Sequence, residues 1–415
     1  MDVITENKLV PKLRFKEFDG GTVVNSYKRY FFTDVFRFSS GKNIKQNEAS
    51  PEFKTPCVRY GELYHMYGEV IYNIINNTNL PESELLFSKG DEVLLPSAGE
   101  EPIGIGAASA LPFENIAIGR TINILRPINE EIYSPFYVSY YINEKLKKEI
   151  ARLAKGVSIS NVYNSDLKKL KIILPSLKEQ KKVDSFLSAV DNKLQQLTKK
   201  KELLKEYKKG VMQKILTQEL RFKDDNGNNY PDWEEKKLGE ELEHKSIRNK
   251  SNQINLVLSV NNKRGFISQK EQFDGHQVAS KDVTNYKVVN NGEYAYNPSR
   301  INIGSIARLD NFEQGIVSPM YVIFRLKNNL NPIFFDALYS SHRFKYLIKI
   351  GCSGSVRDSL NFDEMEKFDV KLPSLEEQQK IATFLSSIDI KIELVITQIE
   401  NTKAFKKGLL QQMFV

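Results

Sequence analysis

The chain has 415 residues, of which 40% are apolar and 27% charged, and it carries a formal net charge of +8 at pH 7. The length suits two folded domains, and the composition is that of a soluble globular protein. No window approaches the roughly 20 apolar residues that span a bilayer, and the N-terminus lacks the basic and apolar segments of a secretion signal. The sequence therefore predicts a cytoplasmic protein without membrane contact, and its basic balance is in keeping with a polyanionic partner.

Cysteine and histidine are too few and too scattered for a metal site or a disulfide framework. Cys57 and Cys352 lie far apart in the sequence, and the four histidines are isolated from them and from one another. We therefore expect no metal ion in this chain and interpret these residues as ordinary packing or surface positions.

In chain order, the sequence has a short leading segment, a β-rich region and a long helix, and then the same three parts again. The leading segments are LRFKEF at Leu13–Phe18 and LRFKDD at Leu220–Asp225. In each β-rich region, short apolar runs bounded by turn residues predict strands. The runs are DEVLLPS, IGIGAAS and RTINILRP in the first region and INLVLSV, YKVVNNGEYAYN and SPMYVIFRL in the second. A helical stretch follows in each, at residues 134–156 and 331–351, so each region is predicted to be a mixed α+β domain.

The long helix occurs twice in the sequence. LPSLKEQKKVDSFLSAVD begins at Leu174 and LPSLEEQQKIATFLSSID at Leu372, and 18 of 43 positions are identical between residues 174–216 and 372–414. Each copy opens with Ser-x-x-Glu, at Ser176 and at Ser374, which predicts a capping box at a helix start. The segments SKGDEVLLPSAGE at 88–100 and NNGEYAYNPSR at 290–300 are also loosely alike. This duplication predicts a two-part architecture.

Behind each cap, apolar residues recur at alternating steps of four and three, which predicts a heptad seam. One such helix alone would be assigned to a globular core. Two matched copies with no third partner are expected to pack on each other as a coiled coil roughly 60 Å long, and a glycine in each is predicted to permit close approach of a docking surface. The predicted seam and docking residues are Leu187, Val190, Leu194, Leu197, Leu204 and Gly210 in the first copy and Leu385, Ile388, Ile392, Val395, Ile399 and Gly408 in the second.

The sequence contains no convincing catalytic motif. The glycines of IGIGA at residues 103–107 lack the third glycine and the acidic residue of a dinucleotide site, and no GxxxxGK[ST] loop for ATP is present. The carboxylates of PDWEEK at 231–236 crowd into six residues, so we interpret this stretch as a domain start with Trp233 as a packing anchor. NPSR at 297–300 and NPIF at 331–334 lack the second proline of an adenine-holding loop. We therefore predict no catalytic residue and no cofactor bound by this chain.

Polar and basic loop residues in both β-rich regions are candidates for contact with DNA. Arginine can donate two hydrogen bonds to guanine or to phosphate, asparagine can pair with adenine, and small hydroxyl groups can bind phosphate oxygens. The same residue types also suit an ordinary solvated loop, and this alternative stays open for each. The candidates are Arg59, Tyr60, Ser97, Arg120, Lys155, Ser158 and Asn161 in the first region and Asn297, Ser299, Arg300, Ser353, Ser355, Arg357 and Ser359 in the second.

Two divergent domains, each followed by a copy of an LPSLxEQ heptad helix, resemble the specificity subunit of type I restriction–modification enzymes over essentially the whole chain. The stretches ILPSLKEQKKVDSFLSAVD and KLPSLEEQQKIATFLSSID and the LRFK leading segments carry the resemblance. It implies an α+β fold in which two target-recognition domains of mixed α/β structure are separated by a long antiparallel coiled coil with pseudo-two-fold symmetry. The expected domains are residues 1–173 and 220–371, and the expected helices are residues 174–219 and 372–415.

The resemblance also implies a function and a set of partners. The chain is expected to be a non-catalytic subunit that reads a bipartite, asymmetric target with a fixed spacer and directs adenine methylation and DNA cleavage by partner subunits in the bacterial cytoplasm. Its expected partners are double-stranded DNA, two methyltransferase subunits and two restriction subunits, with S-adenosylmethionine, ATP and Mg on those subunits. Two alternatives stay open: a coiled-coil scaffold that joins two protein-binding domains, and a self-sufficient DNA methyltransferase or nuclease.

Overall fold

Two long helices, Leu177–Leu216 and Leu375–Met413, organise the computed structural model of the chain. The structure describes residues 10–18, 27–156, 158–262, 264–272, 282–352 and 359–415. Contacts divide the chain into two units, one of residues 1–198 with 397–415 and one of residues 199–396. Each unit therefore contains one β-rich domain and a part of both long helices. Among the described residues, no helix is long and apolar enough to cross a membrane.

The first unit contains two main sheets. The antiparallel sheet has the strand order Phe36–Ser40, Ile122–Pro127, Glu92–Pro96, Ser109–Leu111, and the mixed sheet has the order Ala49–Ser50, Asn76–Thr78, Thr55–Val58, Glu114–Ile118, Phe87–Lys89. Two short ladders pair Lys28–Phe31 with Lys171–Leu174 and Ala98–Gly99 with Ser160–Asn161. The α-helices are Phe32–Val35, Tyr60–His65, Pro102–Ile105, Pro135–Tyr141, Lys147–Leu153 and Asn164–Leu167, a π-helical turn spans Ile142–Leu146, and 3-10 turns lie at Lys16–Phe18, Gln46–Glu48, Glu82–Glu84 and Glu130–Ile132.

The antiparallel sheet of this unit is buried on both faces. Successive side chains of a strand point to opposite faces, so Val93 and Leu125 pack in the larger core whereas Leu94 and Ile124 pack in a second one. This explains why DEVLLPS and RTINILRP are nearly continuous apolar runs, and both strand predictions are confirmed.

The strand prediction for IGIGAAS is wrong for most of its length. Pro102–Ile105 is helical, and only Ser109–Leu111 is a strand. A Cβ atom at Gly104 would lie 2.5 Å from the Tyr64 ring, and one at Gly106 would lie 2.5 Å from a backbone oxygen. The glycines therefore permit a short helix to pack closely against its neighbours, which is a tertiary requirement that the local pattern does not reveal.

The second unit repeats the antiparallel sheet in a smaller domain. Its strand order is Leu242–Lys245, Val322–Leu326, Tyr294–Tyr296, Ile306–Arg308, and three ladders pair Glu234–Lys237 with Asp369–Leu372, Leu258–Asn261 with Gly265–Ser268, and Lys287–Asn290 with Gln314–Val317. The α-helices are Gln269–Gln272, Pro332–Ser340, His342–Cys352 and Phe362–Glu366, and 3-10 turns lie at Leu238–Glu241 and Ile301–Ile303. The strand predictions for this region are confirmed. The predicted helix at 331–351 is interrupted at Ser341, where the backbone is extended.

The two domains share one strand order although their sequences have diverged. In the first domain, Ile122–Pro127 precedes the domain helices and Glu92–Pro96 follows a glycine turn. Val322–Leu326 and Tyr294–Tyr296 occupy the same positions in the second domain. Gly90 and Gly292 have φ values of +85° and +80°, which are readily adopted only by glycine. The loose likeness between residues 88–100 and 290–300 is therefore structural, and it aligns the loop after Glu92–Pro96 with the loop after Tyr294–Tyr296.

The start of each long helix carries the predicted serine cap. The Glu179 amide donates to Ser176 Oγ at 3.4 Å, and the Glu377 amide donates to Ser374 Oγ at 3.3 Å. These bonds satisfy amide groups that have no partner within the helix.

The carboxylates of the same two glutamates bind the arginines of the leading segments, whereas the predicted capping box would have them accept from the serine amides. Arg14 Nε and Nη2 donate to the two carboxylate oxygens of Glu179 at 2.7 and 2.8 Å. Arg221 Nη2 donates to Glu377 at 2.8 Å, and Trp233 Nε1 donates to the same carboxylate at 3.1 Å. The LRFK segments are therefore repeated because each clamps a buried carboxylate at a helix start, and Trp233 is a packing anchor as predicted.

The glutamine that follows each of these glutamates attaches the helix start to its domain. Gln180 Nε2 donates to the Pro175 and Ile132 carbonyls at 2.9 and 3.0 Å, and its Oε1 accepts from the Ser134 amide at 3.0 Å. Gln378 makes the same three bonds with Pro373, Asn329 and Asn331. The repeated Glu-Gln dipeptide thus connects a long helix to the loop that begins a domain helix.

The two long helices pack on each other in antiparallel fashion. In the first unit, Lys406 Nζ lies 2.7 Å from Asp191 Oδ1, and in the second unit Lys208 Nζ lies 2.5 Å from Asp389 Oδ1. In each case the N-terminal half of one helix meets the C-terminal half of the other, so the predicted fold class is confirmed. Seam residues Leu187, Val190, Leu197, Leu385, Ile388, Val395 and Ile399 are buried, and Leu194, Leu204 and Ile392 are half-buried.

A buried carboxyl group in the first long helix gives a test of how this helix packs against its domain. Asp184 Oδ2 accepts a hydrogen bond from the Ser134 hydroxyl group, and Asp184 Oδ1 is buried without a partner. Burial raises the pKa of Asp184 to about 7. The counterpart in the second helix is Ala382, so the repeat does not require a carboxyl group at this position.

We predict that Asp184→Asn stabilises the protein in a pH-dependent way. Because the folded pKa lies above the unfolded value near 3.9, the contribution of Asp184 to stability is present below about pH 4 and is lost as the pH rises to about 7. Asp184→Asn should therefore raise the free energy of unfolding in urea by about 1–3 kcal/mol at pH 8 and by less at pH 4.5. Glu206→Gln, at an exposed position of the same helix, is the control. An equal effect at both pH values would contradict the prediction.

Candidate nucleic-acid interface

Loops at one end of the first unit bring the candidate residues of that region together. The Gly119 amide donates to the Val58 carbonyl at 2.8 Å, the Ser97 amide to the Thr121 carbonyl at 2.9 Å, and the Val162 amide to the Ser97 carbonyl at 2.9 Å. Four segments that are distant in sequence therefore meet. We call the group formed by Arg59, Tyr60, Ser97, Arg120, Lys155, Ser158 and Asn161 the first candidate surface.

The remaining members of the first candidate surface are connected to the same loops. Lys155 and Asn161 exchange backbone hydrogen bonds at 3.0 and 2.8 Å, and Asn161 pairs with Ala98 in a short ladder. Ser158 is exposed in the segment between them. The structure thus brings together all seven candidates of the first region, and their contact with DNA stays a prediction.

The side chains of this surface differ in how readily they can bind a ligand. Arg120 is exposed, and it makes no side-chain hydrogen bond in the part of the chain that the structure describes. Tyr60 presents an exposed ring. Lys155 Nζ is exposed but lies 2.9 Å from Asp166 Oδ1, and its hydrogen bond lowers the pKa of that carboxyl group. Arg120 is therefore the most available cation of the surface.

Buried groups support these loops from behind. Arg59 Nε donates to Glu62 Oε1 at 2.9 Å, and the Tyr64 hydroxyl group donates to the Ala98 carbonyl at 2.5 Å. Burial raises the pKa of Tyr64 and raises the pKa of the Cys57 thiol to about 12. These two groups are therefore neutral at physiological pH, and Cys57 is a packing residue as predicted.

Backbone strain is concentrated beside Arg120. Asn43, Ile44 and Thr121 have φ values of +52°, +55° and +65°, and the Arg120 amide donates to the Asn43 carbonyl at 2.8 Å. The left-handed conformation is costly for β-branched residues such as Ile44 and Thr121, and such strain persists mostly at functional sites. In the sequence only Asn43 hints at these turns, because asparagine tolerates the left-handed conformation. The β-branched Ile44 and Thr121 do not predict it, and the nearby Gly41 and Gly119 do not have a positive φ themselves.

The candidate residues of the second unit lie in the equivalent loop. Asn297 is buried, and its Oδ1 accepts a hydrogen bond from the Ser299 amide at 3.1 Å. Asn297 therefore holds the turn, whereas Ser299 and Arg300 are exposed. The Leu360 amide donates to the Pro298 carbonyl at 3.2 Å, which places Ser359 beside this turn. We call Asn297, Ser299, Arg300 and Ser359 the second candidate surface.

The other three candidates of the second region, Ser353, Ser355 and Arg357, lie outside the described residues. Two exposed apolar side chains that the sequence analysis did not select, Ile303 and Met320, lie near the second candidate surface. Met320 Sδ is 3.8 Å from Asn297 Nδ2. In sequence Ile303 stands alone between Asn302 and Gly304, and Met320 belongs to the predicted strand run SPMYVIFRL, so only the tertiary structure distinguishes them from core positions.

Corresponding backbone bonds place the two surfaces at the same position of their sheets. The bond from Val162 to Ser97 in the first unit matches the bond from Leu360 to Pro298 in the second. Both close the loop that follows the third strand of the sheet order. The two units therefore present equivalent surfaces that carry different side chains.

The long helices also carry a matched pair of exposed aromatic residues. Tyr207 and Phe405 occupy equivalent positions of the repeat and are 53% and 54% exposed. Gly210 and Gly408 follow one turn later on the same helix face. A Cβ atom at Gly210 would meet no atom within 4 Å, and one at Gly408 would meet only the end of the Gln412 side chain. The space above both glycines is open, and the predicted docking role of these glycines stays a prediction.

Within the described ranges, no group of three or more histidine, cysteine, aspartate or glutamate side chains is arranged to hold a metal ion. The residues that the structure brings together are hydrogen-bond donors and cations on loops, which is the composition of a nucleic-acid interface.

Comparisons with known proteins agree with this arrangement. The sequence pattern of the family described as the type I restriction modification DNA specificity domain matches residues 25–206 and again residues 230–402. The MjaX specificity subunit of a type I restriction enzyme from Methanocaldococcus jannaschii is 30% identical over 336 residues, which are 77% of this chain and 76% of that protein. The StySPI specificity subunit from Salmonella potsdam is 28% identical over 167 residues, or 39% of this chain and 35% of that protein.

Solved structures share the fold at lower sequence identity. The S subunit of a type I restriction–modification system from M. genitalium superposes with a TM-score of 0.59 at 16% identity, covering 98% of this chain and 99% of that one. A chain from a structure that describes complex assembly and conformational transition of the type I R-M system gives a TM-score of 0.52 at 14% identity, covering 94% and 96%. The likeness therefore extends over both units.

The strained turn beside Arg120 gives a prediction that separates function from stability. Thr121→Gly removes an unfavourable φ, so the free energy of unfolding should stay unchanged or rise by up to about 1 kcal/mol. Binding to double-stranded DNA should nevertheless weaken several-fold, because the turn that fixes Arg120 becomes more mobile. Both quantities can be measured by urea unfolding and fluorescence anisotropy on the same preparation.

The matched control is Asn115→Gly, because Asn115 also has a left-handed backbone, with φ +60°, but is not part of the first candidate surface. It should leave DNA binding unchanged. Equal DNA affinity of Thr121→Gly and the unmodified protein would show that the strain has no role in binding.

Proposed function

Because this chain belongs to the type I restriction–modification DNA specificity family, we propose that it reads a bipartite, asymmetric DNA target and directs partner subunits to it. The observation that carries the proposal is that two domains with the same strand order present equivalent surfaces with different side chains. A repeated fold supplies two readers of the same kind. Different side chains on those readers give two different half-sites.

The asymmetry of the target follows from the side chains of the two surfaces. The first candidate surface offers Arg59, Arg120 and Lys155, whereas the second offers Arg300 and Ser299 beside an exposed methionine. Base edges in the major groove differ in their donors and acceptors. Surfaces with different donor patterns therefore select different bases, so we expect two unlike half-sites.

A fixed spacer follows from the two continuous helices. Leu177–Leu216 and Leu375–Met413 run without interruption from the residues of one unit into those of the other. Continuous helices that pack on each other along a heptad seam are stiff over their length. We therefore expect a constant number of unread base pairs between the two half-sites.

The chemistry is assigned to partner subunits. We propose that two methyltransferase subunits dock at the equivalent positions marked by Tyr207 with Gly210 and by Phe405 with Gly408. Exposed aromatic side chains are typical anchors of protein interfaces, and the open space above each glycine admits a partner backbone. S-adenosylmethionine, ATP and Mg are expected on the methyltransferase subunits and on two restriction subunits, and this chain is proposed to be non-catalytic. The complex is expected to act in the cytoplasm, where the DNA is.

The experiment that tests this function is genome-wide detection of methylated adenine in cells that carry the cognate methyltransferase, with and without this chain. We predict that a split motif with two unlike halves and a constant gap is methylated only when the chain is present. The double variant Tyr207→Ala and Phe405→Ala tests the proposed docking positions. It should abolish methylation while the purified chain still binds DNA. An unchanged methylation pattern with soluble chain present would contradict the proposal.

A further inference from the structure

We propose that Arg59 reads a guanine base in the half-site of the first domain and that Glu62 is the residue that positions it. This inference rests on the proposed function. It identifies one specificity-determining contact within the first candidate surface, and it assigns to Arg59 a different task from that of its neighbour Arg120.

Arg59 is held in one orientation by a buried carboxylate. Glu62, which is 1% exposed, accepts hydrogen bonds from the Arg59 amide at 3.0 Å and from Arg59 Nε at 2.9 Å. Asn76 Nδ2 also donates to Glu62 Oε1, at 2.9 Å, and helps to hold the carboxylate in place. The guanidinium group therefore has little freedom to rotate.

The two terminal nitrogens of Arg59 have no partner in the described part of the chain. Its side chain is 19% exposed, and neither Nη1 nor Nη2 is among the buried polar atoms that lack a hydrogen bond. Both nitrogens therefore reach solvent. The carboxylate uses Nε and leaves the parallel pair of donors available.

Two ion-paired arginines that hold parts of the fold together, Arg126 and Arg221, differ from Arg59 in this respect. Arg126, whose Nε donates to Glu92, also uses Nη1 to bind Ser39 Oγ at 3.3 Å and Nη2 to bind the Phe87 carbonyl at 3.1 Å. Arg221 uses both terminal nitrogens as well. Arg126 and Arg221 thus use all three guanidinium nitrogens, whereas Arg59 is held through Nε and leaves Nη1 and Nη2 available.

The geometry of Arg59 fits a guanine better than a phosphate. Two parallel N–H groups can bind guanine O6 and N7 together, which is the commonest specific contact of arginine in the major groove. Orientation by Glu62 removes most of the side-chain entropy that such a contact would cost. The adjacent carboxylate also offsets the positive charge, so the pair attracts phosphate weakly, while its directional hydrogen bonds to a base remain.

Arg120 complements this reading residue as a phosphate contact. The Gly119 amide binds the Val58 carbonyl, and a Cβ atom at Gly119 would lie 3.6 Å from the Arg59 Cα atom. The residue immediately before Arg120 in the chain therefore lies in contact with the backbone of Arg59. It is exposed and makes no side-chain hydrogen bond among the described residues, so its full charge is available for the DNA backbone.

The test uses the complete complex with its methyltransferase and the duplex whose sequence the methylation experiment identifies. Each guanine of the first domain's half-site is replaced in turn by 7-deazaguanine, which lacks the N7 acceptor, and binding is measured by competition. With the unmodified chain, we expect replacement of the guanine that Arg59 reads to weaken binding by about 2- to 12-fold, because one of the two hydrogen bonds is lost. With Arg59→Ala, that same replacement should have no further effect, and replacements at other guanines should keep theirs.

Further variants separate positioning from folding. Arg59→Lys keeps the charge but lacks the parallel donors, so it should lose discrimination at the same guanine. Glu62→Gln should reduce that discrimination only in part, because the amide oxygen can still accept from Arg59. Arg120→Ala should weaken binding to all duplexes alike and lower the slope of log K against log salt by about 1. Discrimination in the second domain's half-site reports that each variant is folded.

Two outcomes would overturn this inference and leave the proposed function in place: full discrimination at every guanine by Arg59→Ala, or a first half-site that contains no guanine on either strand. Absence of any methylated motif with the unmodified chain would instead overturn the proposed function, and this inference with it.

Discussion

The structure of each unit depends on a buried Glu-Gln dipeptide at the start of a long helix. Glu179 and Glu377 are clamped by the arginine of a leading segment, and the following glutamine binds the loop that begins a domain helix. Removal of one partner from a buried ion pair costs about 3–5 kcal/mol, because the other charge stays buried without compensation. The dipeptide therefore fixes how a domain is joined to its helix, and it does so in the same way in both units.

A common attachment allows the rest of each domain to vary. The four-stranded sheet and its glycine turn are retained, whereas the five-stranded sheet of the first domain has no counterpart of the same size among the described residues of the second. The loops after the third strand are equivalent in position but differ in side chains. Loop substitutions can therefore change the DNA specificity of a domain without loss of its attachment, because the interactions that hold the domain on its helix lie elsewhere.

The sequence predicts the repeated frame well and the details of the surfaces less well. Capping serines, heptad seams and the glycine turns at Gly90 and Gly292 depend on residues that are close in sequence, so the sequence pattern alone predicts them. The helix at Pro102–Ile105 depends on packing against Tyr64, and the left-handed Thr121 depends on the loops around it. Residue type alone predicts the first candidate surface, and the sequence does not distinguish Arg59, held by Glu62 three residues later, from Arg120, whose side chain has no hydrogen-bond partner among the described residues.

The central claim is that two domains read DNA independently of each other on one shared frame. The most direct measurement replaces residues 1–173, with Arg14 retained, by the corresponding domain of a relative, and determines the methylated motif of the exchanged complex across the genome. If the two domains read independently, one half of the motif changes while the other half and the spacer stay constant. A change in both halves, or a changed half together with a changed spacer, would contradict independent reading by the two domains.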